Sequence, residues 1–486
     1  MKTISIKRTI VLIALLSLIV ACQKDLNPYD SKSTDVALAT PADLQLATYG
    51  TYAGLVYSQY TRMQHFMGEY GSDNVALSGT TSDALYNVYN YTHFPGMYVT
   101  NDFWSQAYKI IFSANQIIER IEDGKSPELD QLKGENLYLR AMAHFDLVKF
   151  FGRPYSQGQG VNPGVVIKEN TNDAGLPSRS TVKEVYDFII TDLEKAATLM
   201  TEEKSASFAS KEVALALLSR IYLFKEDNEK AIEYADLVIN SGRYQLLSTS
   251  EYKTYFRKTP DENVETIFAI RHTISDNRYK DAIGSMYYKD PTGTSGWGQM
   301  YASLAFVRLL NRYPEDARHS FIELQLAPNG IDTLKRGNVP KIYVNKYNWQ
   351  EGVANLSSPV YLRLAEMYLN RAEANAKLGH DQLAIDDVNL IRKRAGLSGT
   401  ALYTVGDLKG HNSILDVVLE ERRLELAFEA QRPLDLFRNN LPMIRAYLGF
   451  HGLDKFNQTI LPTDKQVIFF IPEREIVVNP NLTQNP

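Results

Sequence analysis

The densest chemistry in the 486-residue chain lies between Ile414 and Gln431, where Glu420, Glu421, Arg422, Arg423, Glu425 and Glu429 fall within one helical stretch. Ile414, Val417, Val418, Leu424 and Phe428 share a helix face with Glu421 and Glu425, and Leu415, Leu419 and Leu426 share another with Arg422. Charge therefore falls on both apolar faces. A pair of carboxylates so placed suggests a general acid and base, of the kind that cleaves glycosidic bonds. It equally suggests an internal ion-pair network, with Arg422, Arg432 and Arg438 neutralising Glu421, Glu425, Glu429 and Asp435. The network is the preferred reading, because arginines stand three or four positions from each glutamate.

Aromatic residues are the second chemical signal. The chain holds 30 tyrosines, and two long polar stretches concentrate them, residues 71–101 and about 271–300. Loops of that length within a packed protein carry function or are disordered, and aromatic content speaks against disorder. Tyr86, Tyr89, Tyr91, Tyr288, Trp297 and Trp349 are candidate platforms for the apolar face of a sugar ring, with Asp73, Asn74 and Arg278 as polar partners. Core packing is the alternative for each ring taken singly.

Other chemistries find no support. The sequence has no H-E-x-x-H, no G-x-S-x-G, no phosphate-binding glycine loop and no cysteine nucleophile. Gly158, Gly160 and Gly164 form a loose cluster without a dinucleotide fingerprint. The eight histidines are scattered, so neither metal nor cofactor is expected. The formal charge of −5 argues against nucleic acid, which calls for basic patches.

The N-terminus sets the compartment. Lys2, Lys7 and Arg8 precede an apolar run from Ile10 to Val20, too short to span a hydrocarbon core of about 30 Å. Residues 1–21 read as a signal peptide. Ile19-Val20-Ala21-Cys22 resembles a lipoprotein lipobox, and Cys22 is the only cysteine in the chain. Lipidation at Cys22 would anchor the protein to a membrane through several acyl chains. Loss of the three leader cations takes the charge from −5 to −8. Gln23-Lys24-Asp25-Leu26 has two readings, an export signal to the outer face of the outer membrane or a plain polar tether. Residues 22–45 are expected to be a flexible leash.

The elements that must position these groups are mostly helical. Trp104, Tyr108, Ile111, Asn115 and Ile118 define one helix face, on which Asn115 reads as a satisfied core amide. Leu132 to Phe151 predicts a second helix stopped by Gly152 and Pro154, and Ser180 or Thr181 caps a third. Lys211 to Asn240 and Leu362 to Arg392 look like repeats of one helix–turn–helix unit, with alanines where the helices meet, similar to the tetratricopeptide pattern. Val165-Val166-Ile167, Thr266 to Ile270 and Lys341 to Tyr347 are the strand-like pieces, short enough to predict at most small hairpins. The expected organisation is an N-terminal helical region, 46–260, and a C-terminal region, 261–486, as parts of one compact unit.

Several of these segments carry a resemblance. Gly134-Glu135, Leu139-Arg140-Ala141, Phe145-Asp146-Leu147 and Phe151-Gly152 are similar to a signature of the SusD/RagB family. So are Arg363 through Ala374, Asn389 through Gly396, Glu421-Arg422 with Glu425 and Glu429, Arg432 with Asp435-Leu436, and the tail from Ile471 to Pro486. The resemblance implies an all-α fold of tetratricopeptide-like pairs under a loop-rich ligand face. It also implies a non-catalytic outer-membrane lipoprotein that binds oligosaccharides and serves a SusC-like TonB-dependent transporter. A peptide-binding lid of the RagB type is the alternative, followed by a helical-repeat scaffold that binds only protein, and then by a surface hydrolase.

Overall fold

The computed structural model describes residues 34–78, 85–172, 175–290, 295–452 and 458–485. The predicted signal peptide, Cys22 and the tether up to residue 33 lie outside the described residues. Inside the stretch expected to be a leash, Thr34–Ala37 and the start of Pro41–Val56 are helical. Local chemistry accounts for the second of these. Asp43 and Thr40 cap each other reciprocally, at 3.1 Å and 3.2 Å, with Pro41 in the first turn.

The residues from Ala47 onward form one compact unit. Its principal helices are α1 (Ser58–Glu69), α2 (Tyr98–Ile118), α3 (Pro127–Phe151), α4 (Val182–Leu199), α5 (Lys211–Phe224) and α6 (Asn228–Ile239). After a long excursion come α7 (Leu364–Lys377), α8 (Asp381–Arg394), α9 (Ile414–Glu425) and α10 (Arg432–Arg438). Each helix from α2 to α8 packs on the next, so α6 and α7 are neighbours although residues 240–363 separate them in sequence. The two repeat units thus stack into a single array.

Helix α3 is the pivot of this stack. Ser126 caps it, accepting from Leu129 N at 3.2 Å, and Pro127 opens it, five residues before the predicted start. From Gln131 to Phe151 only Lys149 escapes full burial, as befits a helix covered on all sides. It stops where a Cβ on Gly152 would lie 2.9 Å from the Val148 carbonyl. Thr181 caps α4 in a reciprocal box with Glu184. In the repeats the helices approach through Ala214, Ala231, Ala235, Ala372 and Ala384, all fully buried. Asn115 is the satisfied amide expected, donating to the Lys168 carbonyl at 3.0 Å and accepting from Arg140 at 2.8 Å.

The strands form two-stranded pairs, among them one tight hairpin of Lys335–Arg336 with Val339–Pro340. β1 (Val75–Leu77) pairs with β3 (Met300–Ala302), β2 (Thr266–Ala269) with β6 (Val360–Arg363), and β4 (Ile322–Leu324) with β5 (Ile342–Val344), all antiparallel. The hairpin expected for β2 is therefore a long-range clasp, whereas β5 pairs with β4 only about 20 positions away. Val165-Val166-Ile167 is not a strand: the Val166 carbonyl accepts from the Tyr108 hydroxyl at 2.8 Å, and only a bridge between Pro163 and Thr181 lies beside it. One apolar core runs from Tyr52 to Leu482. Among the described residues no helix is long and apolar enough to cross a membrane.

Candidate functional site: an aromatic loop face on an ion-paired base

Helix α9 enters the interior with its charges, and cations from other elements meet them. Glu421 accepts from Arg318 at 2.6 Å and from Arg392 at 2.8 Å. Glu425 pairs with Arg363 and Arg394 and accepts from the Tyr252 hydroxyl at 3.0 Å. Glu429 binds Lys346 at 2.6 Å and Arg363 at 2.9 Å. Burial opposes ionisation of Glu425 and Glu429, but the surrounding cations win and hold both below the usual carboxylate range.

The expected partners are corrected accordingly. Arg422 and Arg438 pair with Asp435, at 2.9 Å and 2.6 Å, and both also contact Glu373, while Arg432 pairs with Asp73 at 3.0 Å. None of these three arginines serves Glu421, Glu425 or Glu429. The reason is tertiary packing: Glu421 and Glu425 on α9, and Glu429 just beyond it, face β6, α8, Lys346 and the segment around Arg318. Buried and fully engaged, these carboxylates are not placed to protonate a bound substrate.

Helix α9 also anchors the loops. Arg423 donates to Asn74 Oδ1 at 2.9 Å and to the Asp73 carbonyl at 3.0 Å. Burial would raise the Asp73 carboxyl, yet Arg423 and Arg432 bring it below its ordinary value. Ser303 completes the junction, its hydroxyl donating to the Asp73 carbonyl at 2.7 Å and its N–H to the Asn74 carbonyl at 2.8 Å. With the β1/β3 ladder, this joins the two tyrosine-rich stretches through residues more than 200 positions apart.

Apart from Phe94 and Tyr98, which are exposed, the aromatic residues of the first stretch pack inward. Asp73 and Asn74 are buried with the partners just named. Tyr89 is 0% exposed and bonds His451 Nδ1 at 2.5 Å. Tyr86 packs edge-on to Phe450, and Tyr91 edge-on to Phe437, with Arg445 against the Tyr91 ring. These groups brace the loop against the C-terminal region.

The second stretch reaches solvent. Trp297 is 47% exposed, its indole N–H donating to the Lys280 carbonyl at 3.2 Å and the Lys280 ammonium lying 5.1 Å from its ring centroid. The turn that presents it requires glycine, because a Cβ on Gly296 would stand 2.0 Å from the Tyr288 carbonyl oxygen. The Trp297 and Gly298 N–H groups both bond the Ser285 carbonyl, at 2.6 Å and 3.0 Å. Tyr288 packs edge-on to Trp349 at 5.3 Å and to Tyr343 at 5.5 Å, so Tyr288 and Trp349, both half-buried, form one cluster.

Trp349, Glu351 and Asn355 all hold left-handed backbone, with φ of 68°, 52° and 60°. Such strain in non-glycine residues gathers at sites that the surrounding structure over-determines. Sequence reading missed Tyr279, which is 67% exposed beside Lys280. Only its tyrosine-rich surroundings could have signalled it. Among the described residues no group of three metal-ligating side chains converges.

An array of helical pairs whose long insertion carries an aromatic loop face defines a tetratricopeptide-like helical-repeat protein. Residues 25–223 match the family described as "Starch-binding associating with outer membrane", and residues 275–486 match the SusD family. A SusD superfamily protein of Bacteroides thetaiotaomicron is 30% identical, with a TM-score of 0.83 over 92% of this chain and 100% of its own. SusD-like protein P2 of Formosa agariphila is 26% identical over 99% of both chains. The starch-binding protein SusD of B. thetaiotaomicron is 24% identical over 76% of this chain and 75% of its own. The chain belongs to the SusD/RagB family.

Proposed function

We propose that this protein is a surface-exposed outer-membrane lipoprotein, anchored through Cys22, that binds oligosaccharides and delivers them to a SusC-like TonB-dependent transporter. The observation that carries the binding is the exposed Trp297 ring against Lys280, the sequence neighbour of exposed Tyr279, together with the Tyr288–Trp349 cluster. Such rings offer flat apolar faces to a pyranose, while Lys280 and neighbouring amides meet its hydroxyls. The starch-binding relative supports a glycan as the ligand class. Binding proceeds without hydrolysis, since the densest carboxylate cluster is consumed by ion pairs.

Co-purification from native membranes tests the delivery role. A barrel transporter is expected to accompany the tagged chain, and its absence would count against a lid. Incubation with oligosaccharide is expected to return it uncleaved. Labelled palmitate is expected on the wild type and absent from Cys22→Ser. Silence across an oligosaccharide panel together with tight peptide binding would replace the glycan by a peptide.

A further inference from the structure

Two residues near the start of α1 break local rules with no gain to the fold. Gly50 lies in the interior of helix Pro41–Val56, where glycine is the least favourable residue after proline. A Cβ there would meet nothing within 4 Å, so no close approach demands it. Gly54, one turn further on, differs: its Cβ would stand 2.8 Å from Ile110 Cγ1, so glycine is what lets this helix close on α2. Tyr57 holds the N-cap position of α1, which favours Ser, Thr, Asp or Asn, and its side chain makes no capping bond. Its ring is 48% exposed. Departures of this kind gather at functional sites.

Both residues line one groove, of about 580 Å³, between helix Pro41–Val56 and α2. Asp102, Gln106 and Lys109 follow one another on α2 at spacings of 4 and 3, so they stand along a single face and line the groove with Gln59. Gln106 is fixed there, its Nε2 donating to the Gly54 carbonyl at 3.0 Å. A carboxylate, amides and an ammonium beside a half-exposed phenol ring meet the hydroxyls and the apolar face of a pyranose. Ile110 is the one aliphatic side chain of this lining, so there is no stripe for an amphipathic helix. The groove is also joined to the aromatic face. The Arg278 guanidinium lies 5.3 Å from the Tyr57 ring centroid, and Arg62 of α1 donates to Asp281 at 2.9 Å. These contacts hold residues 278–281 against the start of α1, and the Lys280 carbonyl within them accepts from the Trp297 indole. Tyr57 and Trp297 are therefore tied to one short segment.

We infer that this groove is a further sugar subsite, in which Tyr57 and the polar face of α2 take units of the same glycan chain that rests on Trp297. The inference rests on the glycan reading above and narrows it to oligosaccharides several units long. A chain seated at both places gains the second set of contacts without a second loss of translational freedom, so long oligomers outbind short ones. Gly50 serves by its missing side chain, which leaves the groove clear.

Calorimetry of the full-length chain in detergent tests this with size ladders, from disaccharide to octasaccharide, of amylose, xylan, mannan and β-1,3-glucan. In a ladder that binds, affinity is expected to rise at least tenfold from the shortest oligomer bound to the octasaccharide. Tyr57→Ala and Gly50→Leu are each expected to bring that ratio down at least fivefold, and Gly406→Ala to keep it at the wild-type value. Gly50→Leu separates the groove from the fold. Leucine is the better helix former and its Cβ has room, so the melting temperature is expected to hold or rise while the side chain fills the groove. An affinity independent of length, or a ratio that either variant leaves untouched, would overturn the inference while leaving the glycan reading intact. Binding in none of the ladders would overturn both.

Discussion

Arg423 on α9 donates through Nε to Asn74 Oδ1 at 2.9 Å, across 349 positions of chain. The same guanidinium reaches the Asp73 carbonyl and, at 3.2 Å, its carboxylate. A single side chain thus ties the charged helix to the base of the first tyrosine-rich stretch, which Ser303 joins to the second. Replacing it with methionine keeps the bulk but strips Asp73 of one of its two cations. Arg423→Met is expected to cost about 2–4 kcal/mol and to weaken ligand binding, because β1 and β3 lose their common support. Arg423→Lys should rescue little, since a point charge cannot span both acceptors. Chemical denaturation followed by ligand titration checks both; a melting temperature and affinity like the wild type's would refute the coupling.

Glu425 is the carboxylate on which Arg363 and Arg394 converge, with Arg318 3.7 Å away. Glu425→Gln leaves these buried cations short of a counter-charge. The expected loss is about 3–5 kcal/mol. Where the variant still folds, ligand affinity should be unchanged, which separates this base from the binding face. Lost affinity in a fully folded variant would instead give Glu425 a part in binding.

Gly296→Ala should act on the binding face. Its Cβ cannot occupy a position 2.0 Å from the Tyr288 carbonyl, so the turn carrying Trp297 must move. Affinity is expected to fall tenfold or more, while Gly406→Ala, whose Cβ meets nothing within 4 Å, is neutral. Equal behaviour of the two variants would contradict the assignment of Trp297.

Acid should destabilise the fold at a pH above the ordinary carboxylate range. Burial pushes His65 and His144 down to about 3 and His272 and His451 down to about 4. His144 shows why: Nδ1 faces the Arg140 carbonyl at 2.9 Å and Nε2 accepts from Lys168 N at 3.2 Å, so a second proton would break a bond. The unfolded chain takes up these protons near pH 6.5. Their contribution is therefore whole above that pH and lost as pH falls, by about 2 kcal/mol per histidine at pH 5. Glu69, raised to about 8 by burial, acts oppositely, its contribution being whole below about 4.5 and lost as pH rises to 8. Between pH 7 and 5 the four histidines outweigh it. The melting temperature is expected to drop over that interval, less steeply in His144→Gln; a flat profile would contradict the sign.

Local patterns made the helices legible. The Thr181 cap, the Gly152 stop and the alanine seams of the repeats rest on rules that span a few residues. The charged helix was legible as an ion-paired element but its partners were not, because Arg318, Arg363, Arg392 and Arg394 arrive through tertiary packing that no local spacing encodes. The same holds for the strand clasps, which pair residues more than 90 positions apart at β2/β6 and more than 200 at β1/β3. Of the aromatic candidates, composition singled out Tyr89 and Trp297 alike. Only the fold separates a ring sealed against His451 from one presented to solvent, and Tyr279 went unnoticed because exposure has no sequence mark.

Calorimetric titration of the purified full-length chain in detergent, with a panel of neutral and acidic oligosaccharides, tests the central claim most directly when run beside Trp297→Ala. The account predicts saturable binding of at least one glycan by the wild type. It also predicts at least tenfold weaker binding by Trp297→Ala, about 1.4 kcal/mol, at an unchanged melting temperature. Binding that survives the loss of Trp297 undiminished, or no binding to any glycan of the panel, would contradict it.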